Sequence, residues 1–445
     1  MKKFLIIVIA KMVTGILRLL GRNAGNLPGN LALKWDKSIF EYFKITGKVI
    51  AVTGTNGKTM TNNCIAQIFK DSGKKVLSNL QGNNMETGIL SAFIKNCSLT
   101  GKIDADYLIL ETDESYVPVL YKKIPLDCLV VLNFFRDQLD RNGEMETLIL
   151  KIQKFLETYT GNLILNADDP NVSRLAKANP ENKNIYFYSI EECEESTKEL
   201  YEAAEGTYCP FCQAKLQYEY YQYAHVGKFE CPNCHYGKND IYQLLTPVNI
   251  EEGTFQIGET KYKTQYDSLY AFYDLAAATS AAKLYEIPEN SAKKTIEEFV
   301  LNNGRLEKLV IDNCKTVINL AKNPTGVNVS LRFLQKDEGK RELLFVLNDN
   351  IADGKDVSWI WDINFSNLEN VERIITAGQR PYDAAIRIKT AGYPLEKIIP
   401  CTDLKEAVHK LYETENSKYV IANYTAIQNV RKEIMEVSGE NHERN

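Results

Sequence analysis

The 445-residue sequence predicts an α/β protein with two α/β regions and a cysteine-rich insertion in the first of them. From about residue 46, short apolar segments of strand length alternate with helical segments. Such alternation is typical of a parallel sheet covered by helices on both faces. The pattern stops between about residues 195 and 245 and then resumes, and a second α/β region begins near residue 305. A glycine-containing loop at residues 53–59 joins a buried strand to a helix, which also marks this fold class.

The chain is too long for a single hydrophobic core, so we expect several domains. We divide it into an N-terminal helical segment at residues 1–45, a central α/β domain at residues 46–303 with the insertion at about 200–245, and a C-terminal Rossmann-like α/β domain at residues 304–445.

Runs of apolar and β-branched residues predict the strands of both regions. In the central domain they are residues 48–52, 76–79, 106–110, 126–133 and 162–166, and in the C-terminal domain 309–311, 316–319, 342–347, 373–376 and 419–421. In a parallel sheet, ligands bind at the carboxyl ends of the strands. We therefore expect the functional side chains to follow these segments.

The composition excludes several classes of protein. Hydrophobic residues make up 44% of the chain and charged residues 25%. These are ordinary values for a globular protein and argue against a disordered chain and against a polytopic membrane protein. The net charge of −5 argues against a nucleic-acid-binding protein, because such proteins carry a basic surface. Ten cysteines are few for this length, so we expect a reducing, cytoplasmic environment rather than a disulfide framework.

The N-terminus carries an apolar run, FLIIVIAKMVTGILRLL at residues 4–20, behind the basic start MKK. Lys11 and Arg18 interrupt this run, and a membrane span needs about 20 mostly apolar residues. We therefore expect an amphipathic helix that either packs on the body of the protein or lies on the inner surface of the cell membrane. The sequence leaves both alternatives open.

The loop TGTNGKT at residues 53–59 predicts an ATP site. Gly54 and Gly57 allow a tight turn whose backbone amides can surround a phosphate at the N-terminus of a helix. Lys58 can reach the β- and γ-phosphates, and the Thr59 hydroxyl can hold Mg²⁺. The spacing is two residues shorter than in the standard loop, but the preceding strand KVIAV supports the interpretation. The predicted ATP-binding residues of the loop are Gly54, Thr55, Asn56, Gly57, Lys58 and Thr59.

Five motifs in this order resemble the Mur ligases, which are ATP-dependent amide-bond ligases related to folylpolyglutamate synthetase. They are TGTNGKT, LETDES at 110–115, DQLDR at 137–141, NADDP at 166–170 and GRLE at 304–307. The resemblance implies that a substrate carboxylate attacks the γ-phosphate and that an amine then displaces phosphate. Glu111 follows a buried strand, so its carboxylate is placed to hold Mg²⁺ together with Thr59.

The resemblance also implies that Asn166 and Asp169 lie near the adenosine and that Arg305 reaches the phosphates. The chain departs from the family at several positions. Gln138 replaces the histidine of the family's acidic motif between Asp137 and Asp140, and Ile152 stands where many members carry a carbamylated lysine. Asp274 replaces an asparagine and Lys322 a histidine. The phosphate loop begins by residue 53, so we expect no UDP-binding domain and no UDP-linked substrate.

Two C-x-x-C pairs, CPFC at 209–212 and CPNC at 231–234, are separated by eighteen residues. This spacing predicts a zinc ribbon in which four thiolates hold a structural Zn²⁺. The ligands would be Cys209, Cys212, Cys231 and Cys234. A redox role is the alternative, but two matched pairs exceed what a redox site needs. We expect His235 to be a neighbour of the site rather than a ligand.

The C-terminal segments DGKDVSWIWD at 353–362 and TAGQRPYDAAIR at 376–387, together with the zinc ribbon, resemble the MurT family. Members of that family are the synthetase subunits of lipid II isoglutaminyl synthases. The resemblance implies amidation of the D-glutamate α-carboxylate of lipid II, with ammonia from a partner of the GatD type, a glutamine amidotransferase. It also implies that an aspartate completes the partner's Cys–His pair, for which we choose Asp353 with Asp356 as the alternative. Trp359 and Trp361 suit a partner interface.

The predicted function is therefore ATP-dependent amidation of lipid II at the membrane surface, with Lys58, Glu111 and Asp353 as catalytic residues. The four histidines and the cysteines show no glutaminase motif, so ammonia should come from the partner. One alternative is a folylpolyglutamate synthetase-like or other amino acid ligase. A second is a non-catalytic, nucleotide-dependent adaptor whose zinc ribbon binds nucleic acid.

Overall fold

The computed structural model describes residues 1–19, 25–79, 83–136, 145–200, 205–300, 307–311, 313–337, 339–366 and 368–442. The chain folds into two compact units. The first unit contains the described residues up to Phe134, together with Glu146–Leu200 and Glu205–Val300. The second unit contains Phe135, Arg136, Met145 and the described residues from Glu307 onwards.

The first unit is a mixed α/β structure. Its helices are α1 (Lys2–Leu19), α2 (Leu27–Trp35), α3 (Lys58–Asp71), α4 (Glu86–Asn96), α5 (Val117–Leu120), α6 (Met145–Leu156), α7 (Pro170–Ser173), α8 (Leu269–Leu284) and α9 (Glu289–Glu298). Its strands are β1 (Lys44–Ile45), β2 (Lys48–Thr53), β3 (Val76–Ser78), β4 (Lys102–Ile103), β5 (Tyr107–Glu111), β6 (Cys128–Val131), β7 (Asn162–Asn166), β8 (Ile185–Ile190), β9 (Gln217–Tyr223), β10 (Val226–Glu230), β11 (Ile241–Leu245), β12 (Val248–Asn249), β13 (Thr254–Ile257) and β14 (Thr260–Lys263).

The main sheet of this unit has seven strands in the order β11-β8-β7-β6-β2-β5-β3, and every neighbouring pair is parallel. The central strands β2 and β6 are buried along nearly their whole length, which explains why they appear in the sequence as continuous apolar runs. The chain leaves β2 toward one edge of the sheet and leaves β6 toward the other. Ligands bind at such a switch point, beyond the carboxyl ends of the strands.

Helix α3 follows β2 and packs against α8. Helix α8 is rich in alanine and is buried on almost all sides. Small side chains allow it to approach α3 closely, so the second helix passes beside the loop that precedes the first. The polar residues of α8 are thereby brought into the same region as the carboxyl end of β2.

Helix α1 packs one face against the first unit through Ile6, Ile7, Ala10 and Thr14, all of which are buried. It contacts α2 and α4. Among the described residues, no helix combines the length and the apolar character needed to cross a membrane.

The insertion does not form a separate unit. Strands β9 and β10 pair as an antiparallel hairpin, β11 joins the edge of the main sheet beside β8, and β12 to β14 form a small antiparallel sheet. A small apolar cluster surrounds the cysteines of the insertion and includes Leu216, Phe229 and Tyr236.

The second unit has a six-stranded sheet in the order β15-β16-β20-β17-β18-β19, parallel except for the β15–β16 pair. These strands are β15 (Glu307–Ile311), β16 (Cys314–Leu320), β17 (Arg341–Val346), β18 (Val371–Ala377), β19 (Ile398–Pro400) and β20 (Ser417–Ala422). The helices are α10 (Pro324–Gln335), α11 (Pro381–Thr390), α12 (Leu404–Leu411) and α13 (Ile427–His442). Two apolar clusters form its core. The predicted α/β class is confirmed, and each predicted strand overlaps an observed one.

Candidate functional site

The loop between β2 and α3 has the backbone of a phosphate-binding turn. Gly54 has a φ of +134° and Gly57 a φ of +86°, values that other residues rarely adopt. Asn133, at the carboxyl end of β6, fixes the loop. Its carbonyl accepts from the Thr55 amide at 3.0 Å, and its side-chain oxygen accepts from the Asn56 amide at 2.9 Å. These two hydrogen bonds hold the loop in shape.

Helix α3 begins directly after this loop, and its N-cap residue is Gly57, which has no side chain to cap the helix. The amide groups of the first turn and the helix dipole favour an anion at this end. The carboxylate of Asp274, on α8, lies against the turn: a Cβ at Gly57 would lie only 2.8 Å from Asp274 Cγ. The sequence identified Asp274 only as the residue that replaces a family asparagine, and the structure shows its contact with the Gly57 turn.

Lys58 is buried at the start of α3 and folds back onto its own loop. Its Nζ lies 3.1 Å from Oε2 of Glu114 and donates to the carbonyl oxygens of Gly54 and Thr55, the latter at 3.3 Å. Both side chains of the ion pair are more than nine-tenths buried. A lysine held at the mouth of a phosphate loop in this way is positioned to exchange its carboxylate partner for a phosphate.

Glu111, the last residue of β5, is 2% exposed. The side chain of Asn79 binds both backbone groups of Glu111: its oxygen accepts from the Glu111 amide at 2.9 Å, and its amide group donates to the Glu111 carbonyl at 2.8 Å. The side-chain oxygen Oε1 accepts from Asn84 at 3.1 Å. Within the described part of the chain, the other oxygen, Oε2, has no hydrogen-bond partner. An unpartnered buried carboxylate oxygen is costly, so this atom fits a cation.

Magnesium suits this position because it prefers oxygen ligands and usually combines one or two carboxylates with substrate phosphates. The Thr59 hydroxyl, in the first turn of α3, is the second protein ligand that the sequence predicts, and Thr59 is buried beside the loop. The residues present therefore fit Mg²⁺, which Glu111 and Thr59 would hold.

A second group of polar residues lies at the carboxyl edge of the sheet, in the segment at residues 166–173, called the corner after β7. Asn166 is fully buried; its amide group donates to the Leu132 carbonyl at 3.1 Å, and its side-chain oxygen accepts from the Asp168 amide at 3.0 Å. Asp168 accepts from the Tyr273 hydroxyl at 2.7 Å and from Ser189 at 2.7 Å. Burial raises the pKa of Asp168 to about 6. These contacts tie the ends of β6, β7 and β8 together.

Asp169 caps the short helix α7 and is fully buried. One oxygen accepts from the Asn171 amide at 2.7 Å, and the other accepts from the Phe134 amide at 2.9 Å. The ring of His225, from the insertion, approaches Asp169 at 3.4 Å. Burial alone would lower the pKa of His225, but the Asp169 carboxylate outweighs it and the pKa is raised. Asp169 is thus engaged with protein groups on both of its oxygens.

The four predicted zinc ligands come together. Their sulfur atoms lie within 4.8 Å of one another, with 3.3 Å between Cys212 and Cys231 and 3.6 Å between Cys209 and Cys234. A tetrahedral zinc with bonds of about 2.3 Å needs sulfur atoms ~3.8 Å apart, so the cluster fits this ion. His235 points away, with Nδ1 2.7 Å from a Glu230 oxygen, as expected for a neighbour rather than a ligand.

The insertion is joined to the corner after β7. The Tyr236 hydroxyl donates to the Pro170 carbonyl, the Asn239 amide donates to Ser173 at 2.9 Å, and the Gly227 amide donates to the Asp168 carbonyl at 2.9 Å. The insertion that carries the four cysteines therefore supports the same loop that carries Asn166 and Asp169. The sequence predicted the cluster but not this connection.

In the second unit, Asp353 is 4% exposed and lies in a polar cluster beyond β17 and β20. It accepts from the Thr425 amide at 2.8 Å and from the Thr425 hydroxyl. Asn348 and Asn350 also donate to that hydroxyl, at 3.0 and 2.8 Å. Asp353 is therefore held in one orientation by several groups.

The alternative, Asp356, is half-buried and accepts from the Ser358 amide at 2.8 Å, which lowers the pKa of its carboxyl. Trp359 packs against the core of the second unit, whereas Trp361 is 52% exposed. Of the two tryptophans, only Trp361 offers a substantial surface to a partner. Arg305 and the acidic motif with Asp137, Gln138 and Asp140 lie outside the described residues.

Sequence reasoning missed three contributors to the site. Asn133 forms a hydrogen bond to the phosphate loop, Glu114 forms an ion pair with Lys58, and Asn79 forms a hydrogen bond to the backbone of Glu111. Each follows the carboxyl end of an observed strand by one to three residues. A search for polar side chains at those ends would have selected them, although not their contacts.

Comparison with known families and structures agrees with this geometry. The model of the Mur ligase middle domain matches residues 52–236, and that of the MurT ligase C-terminal domain matches residues 320–427. Mur ligases are ATP-dependent and use Mg²⁺. Among solved structures, a pseudomurein peptide ligase type C from Methanothermus fervidus shares 23% identity and has a TM-score of 0.67, covering 92% of this chain and 84% of that one. MurF from Acinetobacter baumannii, at 15% identity and a TM-score of 0.65, covers 91% and 80%.

Two curated relatives are similar over nearly the whole chain. The MurT subunit of lipid II isoglutaminyl synthase (glutamine-hydrolyzing) from Staphylococcus aureus strain COL is 32% identical over 435 residues, which is 96% of each chain. The protein of the same name from Streptococcus pneumoniae is 32% identical over 426 residues, covering 94% of this chain and 93% of that one. With its phosphate loop, cysteine cluster and two α/β units, the chain belongs to the MurT family of Mur ligases.

Proposed function

We propose that the protein activates the α-carboxylate of D-glutamate in the lipid II stem peptide with ATP and converts it to an amide with ammonia. The observation that carries this function is the buried phosphate loop with Lys58 and Glu111 at its mouth. Similarity to relatives named as subunits of lipid II isoglutaminyl synthase supports the choice of substrate.

The reaction divides into two steps. A carboxylate oxygen attacks the γ-phosphorus, the bond to the β-phosphate oxygen breaks, and ADP leaves an acyl phosphate behind. Ammonia then attacks the acyl carbon, phosphate leaves, and the nitrogen loses a proton to give the amide. Mg²⁺, when bound, supplies charge neutralisation for the phosphates.

The protein's own groups act mainly on charge and position. The amides of the loop and the start of α3 bind phosphate oxygens, and Lys58 moves from Glu114 to the transferring phosphoryl group. Asn79 and Asn84 hold Glu111 in place, so its free oxygen has one fixed direction. Asn166 and Asp169 keep the adjoining corner in shape for the adenosine.

When glutamine is the nitrogen source, we assign the release of ammonia to a second protein. A glutaminase needs a thiol of lowered pKa beside a histidine. Cys401 is buried, its thiol contacts the Ile399 carbonyl, and burial raises its pKa. We assign glutamine hydrolysis to a GatD-type amidotransferase. We place its docking surface at Asp353, because Ile351 and Tyr424 beside that cluster are 85% and 54% exposed. Asp353 would orient the partner's histidine.

The test is amidation of lipid II in detergent micelles by the purified chain with ATP and Mg²⁺. Ammonium should support the reaction without the partner, and glutamine only with it. Lys58→Ala should abolish both reactions, whereas Lys70→Ala, in the last turn of the same helix, should leave them unchanged. Absence of lipid II-dependent phosphate release under both conditions would refute the proposed function. Folate-dependent glutamate addition and salt-sensitive nucleic-acid binding would then identify the two alternatives.

A further inference from the structure

Helix α1 has two apolar faces, and in the described part of the chain only one of them is covered. The covered face consists of Ile6, Ile7, Ala10 and Thr14, which are at most 7% exposed and pack on the first unit. The opposite face is also apolar, although a surface helix of a globular protein normally carries polar residues there.

The uncovered face is a continuous stripe. Leu5, Met12, Ile16 and Leu19 are 57%, 61%, 57% and 89% exposed. At ~100° per residue, these four side chains lie within about 60° of one another around the helix axis. The stripe is about 21 Å long at ~1.5 Å per residue, and the half-buried Val8 fills its middle.

The charges around the stripe are positive. Residues 1–19 include three lysines and one arginine and no acidic residue. Lys3 is bound to Glu41 at 2.6 Å, but Lys2 has a side chain that is 71% exposed and lies 3.9 Å from Asp36. The residue before Asp36 is the exposed Trp35, so a tryptophan lies near this end of the helix. Apolar side chains flanked by lysine and tryptophan are typical of helices at a membrane surface.

We propose that the uncovered face of α1, defined by Leu5, Met12, Ile16 and Leu19, docks on an anionic lipid bilayer. The helix lies parallel to the surface and inserts this face into the boundary between headgroups and acyl chains. This inference rests on the proposed function, because a lipid-linked substrate has to be met at a membrane. The covered face keeps the first unit attached to the helix, so docking holds the phosphate loop near the bilayer.

A second copy of the chain fits this face less well. Two copies of the same helix would bring positive charges together. A stripe about 21 Å long on a helix ~10 Å wide covers roughly 200 Å², which falls short of the ~800 Å² per partner of a stable interface. An anionic leaflet instead attracts the lysines, by roughly 1 kcal/mol for each cation near the surface.

The test is flotation of the full chain, without lipid II or partner, with vesicles of phosphatidylcholine alone or with phosphatidylglycerol. We expect binding to the anionic vesicles that weakens with salt. Ile16→Glu should lower the partition coefficient at least about tenfold. Leu150→Glu is the matched control, because Leu150 is 53% exposed on α6 of the same unit and should leave binding unchanged. Both variants should keep the wild-type circular dichroism and ATP affinity.

Equal vesicle binding by wild type and Ile16→Glu would overturn the docking surface. Dimers that form without vesicles and that Ile16→Glu dissociates would also overturn it, because they would show that a second copy of the chain covers α1. Amidation in detergent micelles distinguishes a failure of the docking surface from a failure of the proposed function. If the wild type binds vesicles but never amidates lipid II, the proposed function fails while the docking surface stands.

Discussion

Replacing Gly57 with alanine tests how closely α8 confines the phosphate loop. Gly57 has a φ of +86°, and a Cβ at this position would lie 2.8 Å from Asp274 Cγ and closer still to one carboxylate oxygen. The left-handed backbone alone costs an alanine ~1–2 kcal/mol. Overpacking against a buried side chain adds ~1–3 kcal/mol. We expect Gly57→Ala to lower the free energy of unfolding by about 2–5 kcal/mol and to weaken ATP binding at least about tenfold.

Gly73, after the other end of α3, provides a matched control. Its φ is +85°, but nothing lies within 4 Å of the Cβ position. Gly73→Ala should therefore cost only the backbone term, about 1–2 kcal/mol, and leave ATP binding unchanged. Urea denaturation gives the two stabilities, and titration with a fluorescent ATP analogue gives the affinities.

The contact with Asp274 is isolated by a double-mutant cycle. Asp274→Ala removes the atoms that a Cβ would meet, so Gly57→Ala in that background should cost no more than Gly73→Ala does in the wild type. Equal destabilisation by Gly57→Ala and Gly73→Ala, with ATP affinity retained in both, would refute the reasoning. It would mean that the loop and α8 separate freely.

Three further predictions concern the insertion and the second unit. Because the pKa of His225 is raised in the folded state, its contribution to stability is complete below ~pH 6.5 and is lost as the pH rises through the folded pKa. Urea denaturation of zinc-loaded protein between pH 6 and 9 should therefore show a steeper fall for wild type than for His225→Gln, and equal slopes would contradict this assignment. Removing zinc by chelation should weaken ATP binding by about five- to tenfold, because Tyr236 and Asn239 support the corner after β7. Calorimetry gives the affinities, and protein to which zinc has been restored is the control. Unchanged affinity would show that the insertion does not support the ATP site. Asp353→Asn should reduce glutamine-dependent amidation at least about 100-fold and leave ammonium-dependent amidation within about twofold. Asp356→Asn is the control and should affect neither reaction. An equal loss with both nitrogen sources would place Asp353 in the synthetase site.

The sequence predicted the framework because each part of it has a local pattern. The strands β2 and β6 are buried on both faces and therefore appear as unbroken apolar runs. The phosphate loop and the cysteine pairs are defined by spacing within a few residues, so their chemistry can be inferred without a fold. The structure brings the four cysteines within the distances that a zinc ion needs.

Contacts between distant segments could not be predicted in the same way. Asn133 reaches Asn56 across 77 positions of sequence, and Glu114 reaches Lys58 across 56. The sequence shows that these residues are polar and follow strands, but not which partner each one meets. Helix α1 illustrates a different difficulty, since both of its faces are apolar and periodicity cannot separate the face that packs from the face that stays uncovered.

The charges around the phosphate loop explain why the site suits a nucleotide that arrives with a cation. Glu111 and Glu114 are buried three positions apart, and Asp274 lies against Gly57. Lys58 is the cation that pairs with Glu114. A polyphosphate entering alone would add negative charge beside these acids in a region of low dielectric, where repulsion is strong. Transfer of Lys58 to the phosphates would leave Glu114 buried without its partner, a cost of ~3–5 kcal/mol for a broken buried pair. A divalent cation would offset both effects if the unpartnered oxygen of Glu111 held it. The arrangement of acids that opposes free nucleotide therefore favours its magnesium complex.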